Sequence, residues 1–451
     1  MADSTAGEDA AITLLDDLLA EATAAGADAA DAVLFETASL EASYRLGKLE
    51  NVERSESRDV GLRVLIGQKQ ALVSTTDTGE EALNEVVERC VAMARTAPED
   101  PYCGLADRSL LETSPEDLDL DDQAEPDLAS LTERAAEAED AALSVTGVTN
   151  SEGGGAGWGR GTVALATSDG FRGAYTSSRH SVAASVIAGE GTTMERDYDH
   201  HSARHLSDLD NAQKIGVAAG EKAVKRLNPR KMASCEIPIV FDPRVAGSLL
   251  GHLIGAISGP SVARGTSFLK DSMGKKIFAD GIKVIDDPHA VRGLRSKPFD
   301  GEGVANPATE IIDEGTLRTW MLDSASARQL GLRSTGHGSR GTGGPPSPSA
   351  TNCYMAPGTV SRADLIGDVE NGFYVTELIG FGINAVTGDY SRGAAGFWIE
   401  NGEVGFPVSE LTIAGNLKDM YAQLTPADDL KFRYGVNAPT LRIDTMTVAG
   451  T

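Results

Sequence analysis

Three closely spaced histidines are the first candidates for metal chemistry in this sequence. His200, His201 and His205 include an i, i+4 pair, the spacing at which a helix presents two imidazoles to one zinc ion. No glutamate follows in the HExxH arrangement of a zinc hydrolase, and acids and arginines surround the three rings. We therefore favour a solvated polar connection over a metal site in this segment.

A glycine-rich segment and a cysteine offer two other kinds of chemistry. The segment 336–341, GHGSRG, matches the GxGxxG pattern of dinucleotide-binding loops, but GTGGPPSPS follows where that fold needs a helix. We expect a mobile loop rich in glycine and proline, with a position over a cleft as one option. Cys353 lies near His337 in the sequence, and this proximity alone favours a packed thiol over a catalytic nucleophile.

A polar cluster from Asp389 to Arg392 has glycines on both sides. One interpretation is a tight hairpin held by local hydrogen bonds. The other is a peptide-binding edge, because glycine lets a bound backbone approach a strand closely and an arginine pairs with carboxylates. The two interpretations are compatible, and we predict Asp389 and Arg392 as substrate-binding residues.

A helix with regularly spaced glycines is the most unusual element. Asp242 followed by Pro243 is typical of a helix start, and the helix is predicted to run to about Ser258. Glycine recurs every four residues, at Gly247, Gly251, Gly255 and Gly259. Each interior glycine costs a helix about 1 kcal/mol relative to alanine. This face therefore either contacts a neighbouring sheet closely or is kept bare beside a cleft.

Composition limits the class of protein that carries these residues. The length of 451 residues corresponds to about three domains. With 40 Lys plus Arg against 67 Asp plus Glu, the net charge is −27, which disfavours binding to nucleic acid or to anionic lipid. The hydrophobic fraction of 41%, together with 50 glycines, excludes global disorder. Aromatic residues make up only 5%, so we expect a core of small aliphatic side chains with close packing through glycine.

Cysteine usage and the N-terminal residues predict a cytoplasmic protein. The four cysteines form no CxxC pair, which excludes a disulfide framework or a zinc ribbon and fits a reducing compartment. The N-terminus is acidic, unlike a signal peptide. The apolar stretch from Val245 to Ala263 is interrupted by His252 and Pro260, so it predicts a buried helix and not a membrane span.

The order of predicted elements gives an α+β fold. Residues 1–112 form a small N-terminal α+β domain. Residues 113–127, TSPEDLDLDDQAEPD, are dense in acids and prolines and predict a solvated linker. Residues 128–231 form a middle antiparallel unit that begins and ends with a helix. Residues 232–451 form a large, mostly β C-terminal domain with one long buried helix.

Several sequence blocks resemble the TldD/PmbA family. The glycine-spaced helix contains GSLLGHLIGA, and it is followed by RGTS at 264–267 and by the pair Asp286-Asp287. The most specific block is GFGIN at 380–384, continued by TGDYSRGA and GFWIENG. Further similar blocks are YRLG at 44–47, GLRV at 61–64 and ERDY at 195–198. The resemblance therefore extends over nearly the whole chain.

The same resemblance shows where this chain departs from the metal-binding members, whose helix carries GxLLHExxGH. Gly251 stands at the first metal histidine, His252 at the glutamate base and Ala256 at the second histidine. The segment Val436–Leu441 lacks the cysteine expected near the C-terminus. A zinc hydrolase needs imidazole or thiolate ligands and a carboxylate base. The resemblance is therefore to the metal-less subunit type, TldE.

The resemblance implies a heteromeric zinc metalloprotease of the cytoplasm that cleaves unfolded or unstructured peptides. A TldD-type partner carries the zinc, and this chain shapes the chamber without a catalytic residue, metal or cofactor of its own. Two alternatives stay open. One is a stand-alone peptide-binding or regulatory protein. The other is a homomeric enzyme with unrecognised chemistry, in which changing His252, Cys353 or Arg392 abolishes activity.

Overall fold

The structure, a computed structural model, describes residues 2–450. Met1 and Thr451, the outer limits of the first and last predicted domains, lie outside the described residues. The helices and strands of the first half are, in chain order, α1 (Ala2–Ala24), β1 (Ala29–Arg45), β2 (Lys48–Ile66), β3 (Lys69–Thr75), α2 (Glu80–Thr96), α3 (Leu128–Leu143), β4 (Val148–Thr167), β5 (Arg172–Ala188), β6 (Glu195–Ala203) and α4 (Ala212–Lys225).

Strands β1 to β6 form one antiparallel sheet in the order β3-β2-β1-β4-β5-β6. Alternate residues of β1 lie on the face that the helices cover. Ala32 and Leu34 pack in the cluster with α1 and α2, and Leu40 and Ala42 pack with α3. The predicted units on the two sides of the acidic segment therefore contribute strands to a single sheet.

Glycine allows α3 to lie very close to its neighbours. A Cβ atom on Gly154 of β4 would be 2.1 Å from the carbonyl oxygen of Ala135 in α3. A Cβ atom on Gly216 of α4 would be 2.1 Å from the carbonyl oxygen of Ala138. Any larger residue at these two positions would displace helix backbone, since protein interiors are close-packed. These contacts confirm the close backbone packing expected from the glycine-rich, aromatic-poor composition.

The acidic segment 113–127 departs in its middle from the solvated linker that its composition predicts, whereas residues 113–117 and 123–125 are exposed. Leu118 and Leu120 are only 3% and 6% exposed. The backbone N–H of Ser178 donates to the Leu120 carbonyl at 2.9 Å, and that of Arg292 donates to the Leu118 carbonyl at 2.9 Å. Residues 118–122 are therefore packed between the two halves of the chain. The alternation of leucine and aspartate, which buries the leucines, is the sequence signal for this packing.

The second half of the chain is mostly β. Its helices and strands are, in chain order, β7 (Cys235–Phe241), α5 (Pro243–Ile257), α6 (Gly259–Ala263), β8 (Val284–Asp286), β9 (Thr309–Asp313), β10 (Thr316–Leu317), α7 (Ser324–Leu330), β11 (Gly338–Ser339), β12 (Ser347–Pro348), β13 (Cys353–Met355), α8 (Arg362–Gly367), β14 (Asn371–Ile379), β15 (Asp389–Glu400), β16 (Glu403–Asn416), α9 (Leu417–Ala422), β17 (Leu424–Pro426), β18 (Val436–Asn437) and β19 (Leu441–Ala449).

Two larger sheets surround α5 in this half. The sheet β16-β15-β14-β7-β19-β17 closes on itself because β16 also pairs with β19, and the second sheet has the order β10-β9-β8-β13-β18. Leu249, Leu250 and Leu253 of α5 are fully buried in a cluster that includes residues of both sheets. The α+β fold with a mostly β C-terminal domain and one long buried helix is therefore confirmed.

Helix α5 begins as its sequence predicts. The carboxylate of Asp242 accepts a hydrogen bond from the backbone N–H of Arg244 at 2.9 Å, and Pro243 occupies the first turn. The helix ends at Ile257, one residue before the predicted limit. Within residues 2–450, neither α5 nor any other helix combines the length and the apolar character needed to span a bilayer.

The glycine-rich segment 336–341 is buried between the two halves, so the prediction of a mobile loop over a cleft is wrong. Arg340 is 7% exposed, and its Nη2 atom donates to Oδ1 of Asp31 in β1 at 2.9 Å. A Cβ atom on Gly61 of β2 would lie 2.6 Å from the Cα atom of Thr342. The segment docks on the N-terminal sheet because it carries a cation that pairs with a buried carboxylate there.

Candidate functional site

The four glycines of the α5 region divide into two pairs with different surroundings. A Cβ atom on Gly247 would lie 3.0 Å from the carbonyl oxygen of Val436, and one on Gly259 would lie 2.3 Å from a serine hydroxyl. A Cβ atom on Gly251 or Gly255 would meet no atom within 4 Å. The outer pair thus permits close packing, whereas the inner pair leaves part of the helix surface bare. The close-packing interpretation holds for Gly247 and Gly259, and a cleft beside Gly251 and Gly255 stays a prediction.

Three polar side chains border this bare surface, which we call the open face of α5. His252 lies on α5 itself, and its ring contacts that of Tyr390 edge-on, with centroids 6.0 Å apart. The Nε2 atom of His252, the hydroxyl of Tyr390 and the Nε atom of Arg392 are buried without a hydrogen-bond partner among the described residues. Because buried polar groups are normally paired, three unpaired polar atoms around one helix face are unusual.

The charge of the open face at neutral pH follows from burial. Burial lowers the pKa of His252 to about 4, and the nearby Arg392 cation lowers it in the same direction. Burial raises the pKa of the Tyr390 phenol, and Arg392 opposes that rise. The side chains around the face are therefore a neutral imidazole, one guanidinium and, buried beneath them, a neutral phenol that is 1% exposed. This combination suits a carbonyl or carboxylate oxygen of a bound molecule.

A zinc ion does not fit the side chains of the open face. His252 supplies one imidazole, while Gly251 and Ala256, where the resemblance places the histidines of metal-binding members, supply no donor atom. The Arg392 cation that depresses the pKa of His252 also repels a divalent ion. Within residues 2–450, no group of three or more His, Cys, Asp or Glu side chains is placed to hold a metal ion.

The three closely spaced histidines do not form the solvated connection that we favoured, and they do not lie on a helix. His200 and His201 belong to strand β6, where successive side chains point to opposite faces. The Nδ1 atom of His201 accepts a hydrogen bond from the backbone N–H of Asp210 at 2.9 Å. The Nε2 atom of His205 lies 2.9 Å from the carbonyl oxygen of Asp119. The rings are partly buried and have structural partners.

Of the two predicted substrate-binding residues, Asp389 has local partners and Arg392 borders the open face. The exposed Asp389 carboxylate accepts hydrogen bonds from the hydroxyl of Thr387 at 2.6 Å and from the side-chain amide of Asn416 at 3.1 Å. These bonds match the hairpin interpretation. Arg392 is half-buried and has an unpaired nitrogen beside His252. Contact of either residue with substrate stays a prediction.

Cys353 has the environment of a packed thiol. Its side chain is fully buried, and burial raises the pKa of the thiol well above its ordinary value, so the reactive thiolate is not formed at neutral pH. His337 instead lies 2.8 Å from the hydroxyl of Thr335 and 3.5 Å from the carboxylate of Asp286. The structure does not bring a thiolate and a base together here.

A second concave region escaped the sequence analysis. A cavity of about 650 Å³ lies between β6 and α4 on one side and the C-terminal half on the other. Its lining includes Tyr198, His200, Lys225, Arg362, Thr376 and Lys431. These residues come from segments far apart in the chain and form no motif. The sequence analysis had noted His200 for its spacing, Tyr198 as part of the ERDY block and Asp242 as a helix cap, and none of them for this position.

Three family models match consecutive parts of the chain. The PmbA/TldA metallopeptidase domain 1 matches residues 30–94, the central domain matches residues 115–227 and the C-terminal domain matches residues 234–450. Together they account for most of its length. The chain belongs to the PmbA/TldD family.

Individual relatives place it with the PmbA (TldE) type. It is 40% identical over 425 residues to the metalloprotease PmbA of Escherichia coli O157:H7, covering 94% of this chain and 92% of that protein. It is 38% identical over 432 residues to a PmbA homologue of Haemophilus influenzae, covering 95% and 94%. The crystal structure of TldE from Thermococcus kodakarensis superimposes with a TM-score of 0.87 at 22% identity, covering 97% of this chain and all of that one, which supports the fold.

The side chains available as metal ligands on α5 predict how much zinc this PmbA-type chain retains. We expect the purified protein, produced without a histidine tag and dialysed, to retain far less than one zinc ion per chain, because Gly251 and Ala256 offer no ligand atoms. Elemental analysis by mass spectrometry measures this directly. One tightly held zinc per chain would contradict the expectation. His201→Ala and His252→Ala would then show which region holds the ion.

Proposed function

We propose that this PmbA/TldE-type, metalloprotease-like protein is the non-metal subunit of a heteromeric zinc metalloprotease. A TldD-type partner supplies the zinc, and the assembled enzyme cleaves unfolded or unstructured peptides in the cytoplasm. The observation that carries the proposal is the open face of α5, where the family's helix frame persists while Gly251, His252 and Ala256 replace its ligands and base. Four free cysteines fit the reducing compartment.

The open face gives this subunit a role that needs no metal. Gly251 and Gly255 leave room for an extended peptide backbone to lie against the helix. The unpaired nitrogen of Arg392 and the Nε2 atom of His252 can bind oxygens of that peptide. The subunit would thus form one wall of the chamber and orient the substrate toward the partner's zinc.

Exposed apolar side chains near the site support assembly with a partner. The strand β14 ends at Ile379, which is 58% exposed, and the loop that follows carries the fully exposed Phe381 and Val386, which is 57% exposed. The next strand, β15, contains Arg392. Apolar side chains concentrated on one loop are typical of an interaction surface. A partner docked here would cover them and close the chamber over the open face.

Filling the open face tests this role. In Gly255→Leu the new side chain meets no atom at its Cβ position, and leucine favours a helix over glycine by nearly 1 kcal/mol, so we expect an unchanged or slightly raised melting temperature. The complex of this variant with a TldD-type partner should cleave an unstructured fluorogenic peptide at least about tenfold more slowly, because substrate is displaced from its productive position.

Gly259→Leu is the matched control for that variant. Its Cβ atom would lie 2.3 Å from the hydroxyl of Ser326, so we expect a loss of about 1–3 kcal/mol of stability from overpacking. Unchanged cleavage by the Gly255→Leu complex, with an unchanged melting temperature, would show that the open face does not border the chamber.

A stand-alone peptide-binding protein is the second candidate function. The unpaired polar atoms of His252, Tyr390 and Arg392 are present in the isolated chain, so a peptide could bind there without a partner. Titration of the isolated chain with an unstructured peptide distinguishes the two functions. Tight binding that a TldD-type partner does not change would favour the stand-alone protein. Binding or cleavage that depends on the partner would favour the subunit.

A further inference from the structure

The cavity of about 650 Å³ is separate from the open face. It lies at the beginning of α5, where Asp242, Pro243 and Arg244 are part of its lining. Gly255 follows Asp242 by thirteen residues, which is about 20 Å along a helix axis. The other wall comes from β6 and α4 of the first half. This volume is in the range that accommodates a small molecule.

One wall of the cavity is a row of flat rings. The rings of Tyr198 and His200 are stacked with centroids 5.9 Å apart, and the ring of Tyr434 lies 5.7 Å from that of His200. The guanidinium of Arg244 lies 4.1 Å above the ring of Tyr198. Burial lowers the pKa of His200, so its ring is neutral at pH 7. We call Tyr198, His200 and Tyr434 the aromatic wall, and it suits a planar or apolar body.

Two of the three acids that line the cavity are paired with cations. The carboxylate of Asp197 binds the guanidinium of Arg244 at 2.6 Å. The carboxylate of Asp199 binds the ammonium of Lys222 at 3.2 Å. Neither carboxylate is therefore free to balance the remaining positive charges of the cavity.

The third acid, Asp242, is engaged by the backbone and by a phenol. It accepts hydrogen bonds from the backbone N–H of Arg244 and from the hydroxyl of Tyr374. Since Pro243 has no N–H and Asp242 caps the first turn, the N-terminus of α5 offers little to an anion. Any anion in the cavity must be held by side chains.

Three cations remain available, which we call the cation group: Lys225, Arg362 and Lys431. Neither lysine forms an ion pair with another described residue. One nitrogen of Arg362 donates to the hydroxyl of Tyr374 at 2.8 Å, and the nearby carboxylates of Asp242 and Asp429 help to raise its pKa, so its charge is partly balanced while other N–H groups can still donate. The hydroxyl of Thr376, also in the lining, is buried without a partner. In a chain of net charge −27, a cavity lined by two unpaired lysines and this arginine is unexpected.

We propose that this cavity binds a small molecule that carries an anionic group, a carboxylate or a phosphate ester, on an aromatic or apolar body. The cation group holds the anion, and the aromatic wall stacks against the body. The unpaired hydroxyl of Thr376 adds a hydrogen bond to the ligand. The site lies in this chain alone and does not depend on a TldD-type partner.

Calorimetric titration of the full chain at low salt tests the proposal, because salt screens exposed charges. The probes are phenyl phosphate, N-acetylphenylalanine, N-acetylphenylalanine amide and inorganic phosphate. We expect at least one aromatic anion to bind about tenfold more tightly than the neutral amide, because the amide lacks the charge-assisted contact. The same anion should bind about tenfold more tightly than inorganic phosphate, because phosphate lacks the ring that stacks on the aromatic wall. Preference for phenyl phosphate identifies a phosphate ester as the ligand class, and preference for N-acetylphenylalanine identifies a carboxylate.

Two double variants assign the binding to the cavity. Lys225→Gln with Lys431→Gln should weaken the preferred anion about tenfold or more without changing the melting temperature, because both lysines are exposed and unpaired. Lys48→Gln with Lys270→Gln removes two other exposed lysines and should leave the affinity unchanged. Arg362→Gln should weaken the anion independently, and Tyr198→Ala should abolish the preference over inorganic phosphate.

The proposal is overturned by either of two results. In the first, no anionic probe binds more tightly than the amide. In the second, the Lys225→Gln and Lys431→Gln double variant keeps the wild-type affinity while the chain remains folded. Neither result bears on peptide cleavage by the assembled protease, which is measured separately.

Discussion

The isolated chain is expected to cleave no unstructured peptide, and its mixture with a TldD-type partner from the same genome is expected to cleave such peptides in a reaction that chelators stop. The physical reason is that His252 is a single neutral imidazole, and Gly251 and Ala256 cannot bind a metal that activates water. Replacing the glutamate of the partner's HExxxH motif should lower the rate by about a hundredfold or more. Cleavage of a fluorogenic peptide, with size-exclusion chromatography of the mixture, measures both effects.

His252→Ala separates peptide binding from catalysis in this chain. It removes one proposed peptide-binding imidazole, so cleavage should fall by the worth of one hydrogen bond, about tenfold at most, and should not be abolished if the partner supplies the base. Hydrolysis by the isolated chain that resists chelators would contradict the subunit proposal and favour a homomeric enzyme. A partner that cleaves equally well without this chain would leave only the regulatory alternative.

Asp31→Ala is expected to lower the free energy of unfolding by about 3–5 kcal/mol, the cost of leaving buried charges unpaired. Asp31 is 3% exposed and pairs with two buried arginines. Its carboxylate accepts from the Nε atom of Arg63 at 2.6 Å and from the Nη2 atom of Arg340 at 2.9 Å. Both cations lose their partner in the variant, and the segment that docks the C-terminal half on the sheet loses its anchor. Urea denaturation measures the loss.

Two further variants test the cause of that loss. Asp444→Ala removes a carboxylate that is 57% exposed and pairs with Arg442 at 3.1 Å, and it should change stability little. Replacing Asp31, Arg63 and Arg340 together by apolar residues should recover much of the stability, because none of these three charges then stays buried without a partner. If the triple variant were as unstable as Asp31→Ala, the loss of stability would come from the disrupted packing and not from unpaired buried charge.

The ion pairs of Asp31 with Arg63 and Arg340 also make the stability of the protein depend on pH in a predictable direction. Burial by itself raises the pKa of Asp31, but the charges of Arg63 and Arg340 and their hydrogen bonds outweigh it, so the pKa lies below the ordinary value of 3.8. The stabilisation is therefore complete above that value and is lost as the pH falls through the lower, folded-state pKa. The difference in stability between wild type and Asp31→Ala should shrink only under strongly acidic conditions.

Local signals in the sequence predicted individual elements well. Asp242 and Pro243 marked the start of α5, and the helix ends within one residue of its predicted limit. The acidic segment was mispredicted, because composition was weighed above the alternation that buries Leu118 and Leu120. The segment 336–341 was mispredicted because nothing near Arg340 in sequence shows that its partner is Asp31, some three hundred residues earlier.

The sequence by itself determined the fold class, the family and the absence of ligand chemistry at Gly251 and Ala256, since these depend on residue type and local order. The tertiary structure alone decided which glycines of α5 pack and which lie open, because Val436 and Ser326 approach Gly247 and Gly259 from distant segments. It also decided that two remote stretches enclose a cavity whose cations exceed its acids. Burial and pairing depend on which residues are neighbours in space. Such neighbours come from distant parts of the chain, so inspection of the local sequence does not reveal them.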